Sequence, residues 1–540
     1  MSSVSDQAPW WRGAVIYQVY PRSLMDANND GVGDIRGIIS KLDYIASLGV
    51  DAIWISPFFK SPMRDFGYDI SDYRDVDPLF GSLGDLDELI AEAHDRNIKI
   101  MIDQVLSHTS DQHAWFQESR ESRDNPKADW YVWADAKPDG TAPNNWLSIF
   151  GGCGWEWEPR RGQYYLHNFL KSQPDLNFHN PEVQAQILSE VEFWLKRGVD
   201  GLRLDAISFC FHDKDLRDNP AKPADQRQGR GFSEDNPYAF QYHYYNNDLP
   251  ENIGFLEQLR ALCDRYPGVV TLGEISSEDS LATMAKYTEG NKRLHMAYSF
   301  ELLVPEFCAR HIRTTVENLE ASLNDGWPCW SLSNHDVVRV MSRWGGGFNP
   351  TLGKTLHALV AALRGSVCYY QGEELGLVEA DIAYEDLQDP YGITFWPNFK
   401  GRDGCRTPMP WQSDAPHAGF SAEKPWLPVP DSHRTLAVNL QDQDPHSMLN
   451  FFRHFMAWRK QQPLLTQGDI AFDDAPDGCL LIRRSMADGQ VMRAAFNLTA
   501  EPVTLQVPDQ SALLPDSGLT GAELSAGQLS LPAFGGAFIA

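Results

Sequence analysis

Eight short, apolar, β-rich runs alternate with helix-like segments along most of this 540-residue chain, and carboxylates stand at or just after the ends of four of them. After residue 466 the pattern changes to short alternating runs separated by turns. These observations predict an α/β fold: a (β/α)8 TIM barrel with a loop-rich domain inserted after strand 3 and a C-terminal all-β sandwich domain. The expected strands are Val15–Tyr20, Ala52–Ile55, Lys99–Gln104, Gly201–Leu204, Val269–Leu272, His295–Phe300, Trp327–Leu332 and Ser366–Tyr370. Helical periodicity over Ile35–Leu48, Leu83–Arg96, Glu182–Arg197 and Asn252–Tyr266 lies between them. Repeated βα units imply parallel strands, and eight suit a closed barrel; an open, doubly wound sheet is the structural alternative.

On this reading residues 1–108 form the first part of the barrel and 109–178 an inserted domain. Residues 179–465 complete the barrel, and 466–540 form the β domain. The insertion is rich in Trp, Asn, Gly and Pro, and two further excursions run from about 208 to 250 and 375 to 430. Long loops inside a compact fold are commonly functional, and all three leave the face of a barrel where active sites sit. In the last domain, Leu480–Arg484, Val491–Asn497, Val503–Val507 and Ala537–Ala540 alternate as strands do, and Asp488-Gly489 is a hairpin turn.

Charge narrows the partners. With 46 Lys and Arg against 74 Asp and Glu, the net charge is −28. Phosphate backbones need a basic patch, so no nucleic-acid partner is expected, nor an anionic membrane surface. A neutral small molecule fits. The 17 Trp and 19 Tyr suit a cleft that stacks on sugar rings, although a large core uses such residues too. The N-terminus lacks a basic region followed by an apolar one, and no run of 18 apolar residues occurs. The eight cysteines form no CxxC pair. Cytoplasmic residence with free thiols is therefore expected. The sequon Asn497-Leu-Thr499 reads as chance.

Asp103 closes the third expected strand, Asp205 the fourth and Glu274 the fifth, while Asp336 follows the seventh. A single carboxylate at a strand end commonly caps a helix or pairs with an Arg. Four at one rim converge on one pocket. Cleaving a glycosidic bond needs one ionised carboxylate and one that stays protonated. Arg203 lies two residues before Asp205 on the same strand face, so its guanidinium is expected to keep Asp205 ionised. Glu274 follows the apolar Val-Val-Thr-Leu-Gly and has like charges nearby, so its proton is expected to be held to higher pH. His108 and His335 suit hydrogen bonding to hydroxyls, since no ligand spacing accompanies them.

The loop Asp26-Ala-Asn28-Asn-Asp30-Gly31-Val32-Gly33-Asp34 places oxygen ligands at positions 1, 3, 5 and 9, with the Val32 carbonyl at 7. That set can encircle a hard cation: Ca²⁺ by default, Mg²⁺ as the alternative. Position 12, where an EF-hand needs Glu, is Gly37, so an Asx-turn loop without an ion is the other reading. No organic cofactor is expected.

These motifs resemble the α-amylase superfamily of glycoside hydrolases, in its oligo-1,6-glucosidase and α-glucosidase branch. Asp103-Gln-Val-Leu-Ser-His108, Gly201-Leu-Arg-Leu-Asp205, Gly273-Glu274 and Ser333-Asn-His-Asp336 are similar to its four signature regions. Gln173-Pro-Asp-Leu-Asn177 is similar to the fifth. The resemblance implies that Asp205 is the nucleophile, Glu274 the acid/base and Asp336 the transition-state stabiliser. It implies that Asp65, Tyr68, His108, Arg203 and His335 grip the terminal glucose. Arg402 would pair with Asp65 at the pocket floor, making the enzyme exo-acting, with Phe150 and Phe169 as walls. The loop Asp26–Asp34 is similar to the family's metal loop. Ala206, after the nucleophile, resembles α-1,4-acting members, where α-1,6-acting ones tend to carry Val. The whole pattern looks closest to bacterial α-glucosidases that also transfer glucosyl units to alcohols. Maltose-like α-glucosides and alcohol acceptors are thus the implied partners. An oligo-1,6-glucosidase or a sucrose- or trehalose-forming isomerase is the competing reading. A non-catalytic transporter subunit would predict a membrane anchor and lost carboxylates, and the chain keeps all three.

Overall fold

The computed structural model describes residues 8–227 and 235–540. Residues 1–7, on which part of the reading of the N-terminus rests, and 228–234 of the second excursion lie outside the described residues.

The eight expected strands form one parallel sheet: β1 (Val15–Val19), β2 (Ala52–Ile55), β3 (Lys99–Val105), β4 (Gly201–Asp205), β5 (Val270–Ile275), β6 (Met296–Ser299), β7 (Cys329–Ser331) and β8 (Ser366–Tyr370). Neighbours in space are neighbours in sequence, in the order β6-β5-β4-β3-β2-β1-β8-β7. A parallel bridge from Ala297 to Pro328 joins the two ends, so the sheet closes on itself. The barrel, and not the open sheet, is the fold. Helices cover its outside because strands apolar on both faces need burial on both faces.

The helix α4 (Pro181–Lys196) shows how the sequence sets an element. Asn180 caps it by accepting the Glu182 N–H, and Pro181 occupies the first turn, where no intrahelical N–H bond is lost. Val183, Ile187, Val191 and Trp194 then recur at helical spacing and are fully buried. Each contributes about 1.5–3 kcal/mol by leaving water. The α3 helix (Leu83–Asp95) begins with a capping box between Ser82 and Asp85. One expected helix is two: α1 (Ile35–Ser40) and α2 (Leu42–Ser47). The Ser40 hydroxyl bonds back to the Gly37 carbonyl at 2.7 Å, and Lys41 leaves helical geometry at ψ 6°.

The loop-rich segment after β3 folds around a three-stranded antiparallel sheet of Trp133–Ala134, Gln163–Leu166 and Trp155–Glu158. Its small core is Val132, Trp146, Trp155 and Leu166. The C-terminal strands form two antiparallel sheets. One has four strands: β9 (Asp469–Asp473), β10 (Cys479–Ser485), β11 (Val491–Asn497) and β15 (Gly536–Ile539). The other has three: β12 (Val503–Gln506), β13 (Glu523–Ser525) and β14 (Gln528–Leu531). β9 escaped the sequence reading because it is half exposed along its length, β13 because it has only three residues, and β14, although it alternates, because it has only four. Arg484 of β10 is fully buried and donates to the carbonyls of Ala362 (2.8 Å), Leu465 (3.0 Å) and Gly468 (2.6 Å), which ties this domain to the barrel.

Candidate active site

Strand pleating builds the site. Every second residue of a barrel strand points inward. At the lower level these are Ile16, Trp54, Met101, Leu272 and Met296, which pack together as an apolar plug. Gly201 sits at that level on β4 because a Cβ there would come within 2.7 Å of Met101 Cγ. One step up each strand, the inward residues turn polar: Gln18, Asp103, Arg203, Glu274 and Tyr298. A polar layer thus lies above an apolar one, below the mouth of the barrel.

Arg203 is the hub of that layer and is completely buried. Its Nη1 donates to Asp205 Oδ1 at 2.6 Å and to Asp103 Oδ1 at 2.9 Å. Its Nη2 donates to Glu274 Oε1 at 2.6 Å and to the Tyr298 hydroxyl at 2.8 Å. Tyr298 in turn donates to Glu274 Oε1 at 3.0 Å. The other oxygen, Oε2, accepts the Ala206 N–H at 3.2 Å. Ala206 presents that N–H from a left-handed conformation, φ 44° and ψ 39°, unusual for a residue with a Cβ.

One positive charge therefore serves three buried carboxylates. Burial pushes Asp205 up to about 7, against the pull of Arg203, and Asp103 adds to the rise. Burial likewise pushes Glu274 up to about 7, with Asp205 and Asp336 reinforcing it. The expectation for Glu274 agrees with this. The expectation that Arg203 alone would hold Asp205 ionised does not, because its charge is divided and desolvation prevails.

Asp336 differs. Burial opposes its ionisation, yet the guanidinium charges of Arg402 and Arg406 outweigh it and hold the carboxylate well below its ordinary range. Arg406 Nη2 donates to Asp336 Oδ1 at 2.9 Å and Arg402 Nη1 at 3.1 Å. His335 is kept neutral by burial. Gln18 Nε2 donates to its Nδ1 at 2.8 Å. Tyr68, which donates to Asp103 Oδ2 at 3.0 Å, receives the Nε2–H at 2.6 Å. The bonds define one tautomer.

Arg402 Nη2 donates to Asp65 Oδ1 at 2.9 Å, the pairing that the family resemblance implies, and both residues line the pocket. Asp389 holds the same guanidinium from behind at 2.8 Å. Gln173 donates to Asp65 Oδ2 at 3.0 Å. His108 faces the pocket with its Nε2 on the Tyr68 carbonyl at 3.1 Å. Phe150 stands over Arg402 with its ring 5.0 Å away, and Phe169 packs on Phe150 and His108. The pocket opens to solvent. Asp65, Tyr68, His108, Phe150, Phe169, Asp205, Glu274, Asp336 and Arg402 all line it, while Arg203 and His335 lie just beneath.

Sequence reasoning missed Tyr298, Asp389, Arg406 and the apolar lining of Phe209, Phe300 and Tyr391. Counting inward positions along β6 would have found Tyr298, two residues after Met296. Asp389 pairs with Arg402 within one long loop, Arg406 joins that loop to Asp336, and nothing local signals either pair.

The Asp26–Asp34 loop contributes no residue to the pocket lining. Asp26 accepts N–H bonds from Asn29 (2.7 Å) and Gly31 (2.8 Å), and Ser421 donates to it at 2.6 Å. Gly31 sits at φ +90°, where a Cβ would meet the Lys424 carbonyl at 2.3 Å. Asp34 caps α1 by accepting the Gly37 N–H at 2.6 Å. No group of three His, Cys, Asp or Glu side chains converges as a metal cage among the described residues. The donor types of Asp26, Asn28, Asp30 and the Val32 carbonyl nevertheless fit a hard cation.

The chain matches the model of the α-amylase catalytic domain over residues 18–468. It is 52% identical to the probable α-glucosidase of Rhizobium meliloti (strain 1021), covering 98% of this chain and 96% of that one. It is 37% identical to the oligo-1,6-glucosidase of Heyndrickxia coagulans, covering 93% and 94%. Among solved structures it is similar to the α-glucosyl transfer enzyme XgtA, with a TM-score of 0.97 and 64% identity over 99% of both chains. The trehalulose synthase MutB from Pseudomonas mesoacidophila MX-45 follows the same fold, with a TM-score of 0.89 and 32% identity over 99% of both chains. Fold, site and relatives converge: the chain belongs to the α-amylase family and is a glycoside hydrolase of that family.

Proposed function

We propose that this enzyme is a retaining, exo-acting α-glucosidase that releases terminal α-1,4-linked glucose from maltose-like substrates and transfers glucosyl units to alcohols. The observation that carries the reading is the grip of adjacent nitrogens of one guanidinium on Asp205 and Glu274. Two carboxylates held on one guanidinium at the pocket lining suit a nucleophile and its acid/base partner.

Glu274 gives its proton to the glycosidic oxygen as Asp205 attacks the anomeric carbon, forming a β-glucosyl ester. Glu274 then takes a proton from water or an alcohol, which attacks the ester, so configuration is retained. Asp336, ionised throughout, holds ring hydroxyls as positive charge develops. Asp65 and Arg402 bind the far end of the glucose, and their pairing supports exo action. The α-1,4 preference rests on Ala206, which lines the pocket beside Asp205. Two observations favour a second reading, hydrolysis of α-1,6 links or isomerisation: relatives named oligo-1,6-glucosidase, and the similarity to a trehalulose synthase. Purified enzyme should hydrolyse maltose at least tenfold faster than isomaltose and form an α-glucoside when a simple alcohol is added. Faster isomaltose turnover, or a rearranged disaccharide from sucrose without glucose release, would favour the second reading.

The loop Asp26–Asp34 is proposed to hold Ca²⁺, or Mg²⁺ in its place, in a structural role. When bound, the ion neutralises the acidic loop and plays no part in the proton steps. Asp30→Ala should lower Tm by about 2–4 °C in saturating Ca²⁺ and leave sugar preference unchanged. Equal melting of both proteins with and without Ca²⁺ would show that the loop holds no ion. Eight free cysteines support a cytoplasmic location, and no helix among the described residues is long and apolar enough to cross a membrane.

A further inference from the structure

Tyr298 has one proton and one acceptor for it. Its hydroxyl receives Arg203 Nη2–H at 2.8 Å, and its own proton points to Glu274 Oε1 at 3.0 Å. The ring is buried in the barrel, tilted against Trp54 at 6.2 Å and Phe300 at 6.5 Å, so the hydroxyl has little freedom. Oε1 thus faces two donors on the inner side and has no room for a proton of its own. Oε2 receives only the Ala206 N–H, at 3.2 Å, and Ala206 lines the pocket.

We propose that Tyr298 is a positioning residue that ties Glu274 Oε1 to the barrel wall, so that the catalytic proton travels on Oε2. This rests on the acid/base assignment of Glu274 above. In the first step the Oε2–H bond breaks and the proton moves to the glycosidic oxygen. The bond from that oxygen to the anomeric carbon cleaves, its electron pair stays with the leaving alcohol, and Glu274 is left as a carboxylate. Tyr298 and Arg203 stabilise that charge on Oε1 while Oε2 stays poised to take the next proton from water or an acceptor. Burial keeps the Tyr298 hydroxyl protonated throughout.

Tyr298→Phe keeps the ring and removes only the donor. Glu274 then ionises less readily, so the alkaline limb of kcat/KM should move up by about one pH unit. A weaker, less firmly held acid should slow maltose cleavage about tenfold and hardly affect a nitrophenyl α-glucoside, whose leaving group needs no proton. An unmoved alkaline limb, or equal losses on the two substrates, would overturn the role of Tyr298. The limb should vanish in Glu274→Gln. Its persistence there would overturn the acid/base assignment itself, and with it this role, whatever Tyr298→Phe does.

Discussion

Asp205→Asn is expected to lower kcat on maltose by about 10⁴-fold or more, because it removes the group that attacks the anomeric carbon. The same change should stabilise the protein at alkaline pH. In the folded state burial holds the Asp205 carboxyl up to about 7, whereas in the unfolded chain it titrates near the ordinary value of about 4. The folded protein therefore binds this proton more tightly, and stability falls as pH rises from about 4 to 7. Asparagine needs no ionisation and escapes that cost. Tm at pH 8 should rise by about 2–4 °C over the native enzyme, with a smaller gain at pH 5. Measurable native turnover in Asp205→Asn would remove Asp205 from its role, and equal Tm values at both pH values would show that its burial stores no strain.

Arg203→Met should have the largest effect on the fold. It leaves Asp103, Asp205 and Glu274 buried together with no cation on their inner side. Removing one partner of a buried ion pair costs about 3–5 kcal/mol, so in a chain of this size Tm should fall by about 3–5 °C. The remaining carboxylates would hold their protons more tightly still, and the deficit should widen as pH rises. Lysine should not rescue activity, since a point charge cannot serve both Asp205 and Glu274 as the fork does. A variant that melts within 2 °C of the native enzyme would show that the hub is dispensable.

The barrel was legible because its strands are short apolar runs bounded by turns, and because buried parallel strands show no polar alternation to hide them. Asp103, Asp205 and Glu274 were legible as polar residues ending such runs, and the Arg203–Asp205 pair followed from the two-residue repeat of a strand. The balance of charge was not. Reading Arg203 against Asp205 alone missed that Asp103 and Glu274 share the same guanidinium, which requires three strands to be placed side by side. Asp389, Arg406 and Tyr391 reach the pocket from a loop whose course no local pattern reveals. In the C-terminal domain, Gln528–Leu531 alternates as clearly as its neighbours, but Glu523–Ser525 is too short to mark a partner for it.

The central claim is that Asp205 and Glu274 work by double displacement in one pocket. Proton NMR of the first glucose released from maltose tests it most directly, read before the anomers equilibrate in solution. The account predicts α-glucose first, with β-glucose growing in later at the spontaneous rate. β-Glucose as the first product would contradict it, since a single displacement by water inverts the anomeric centre.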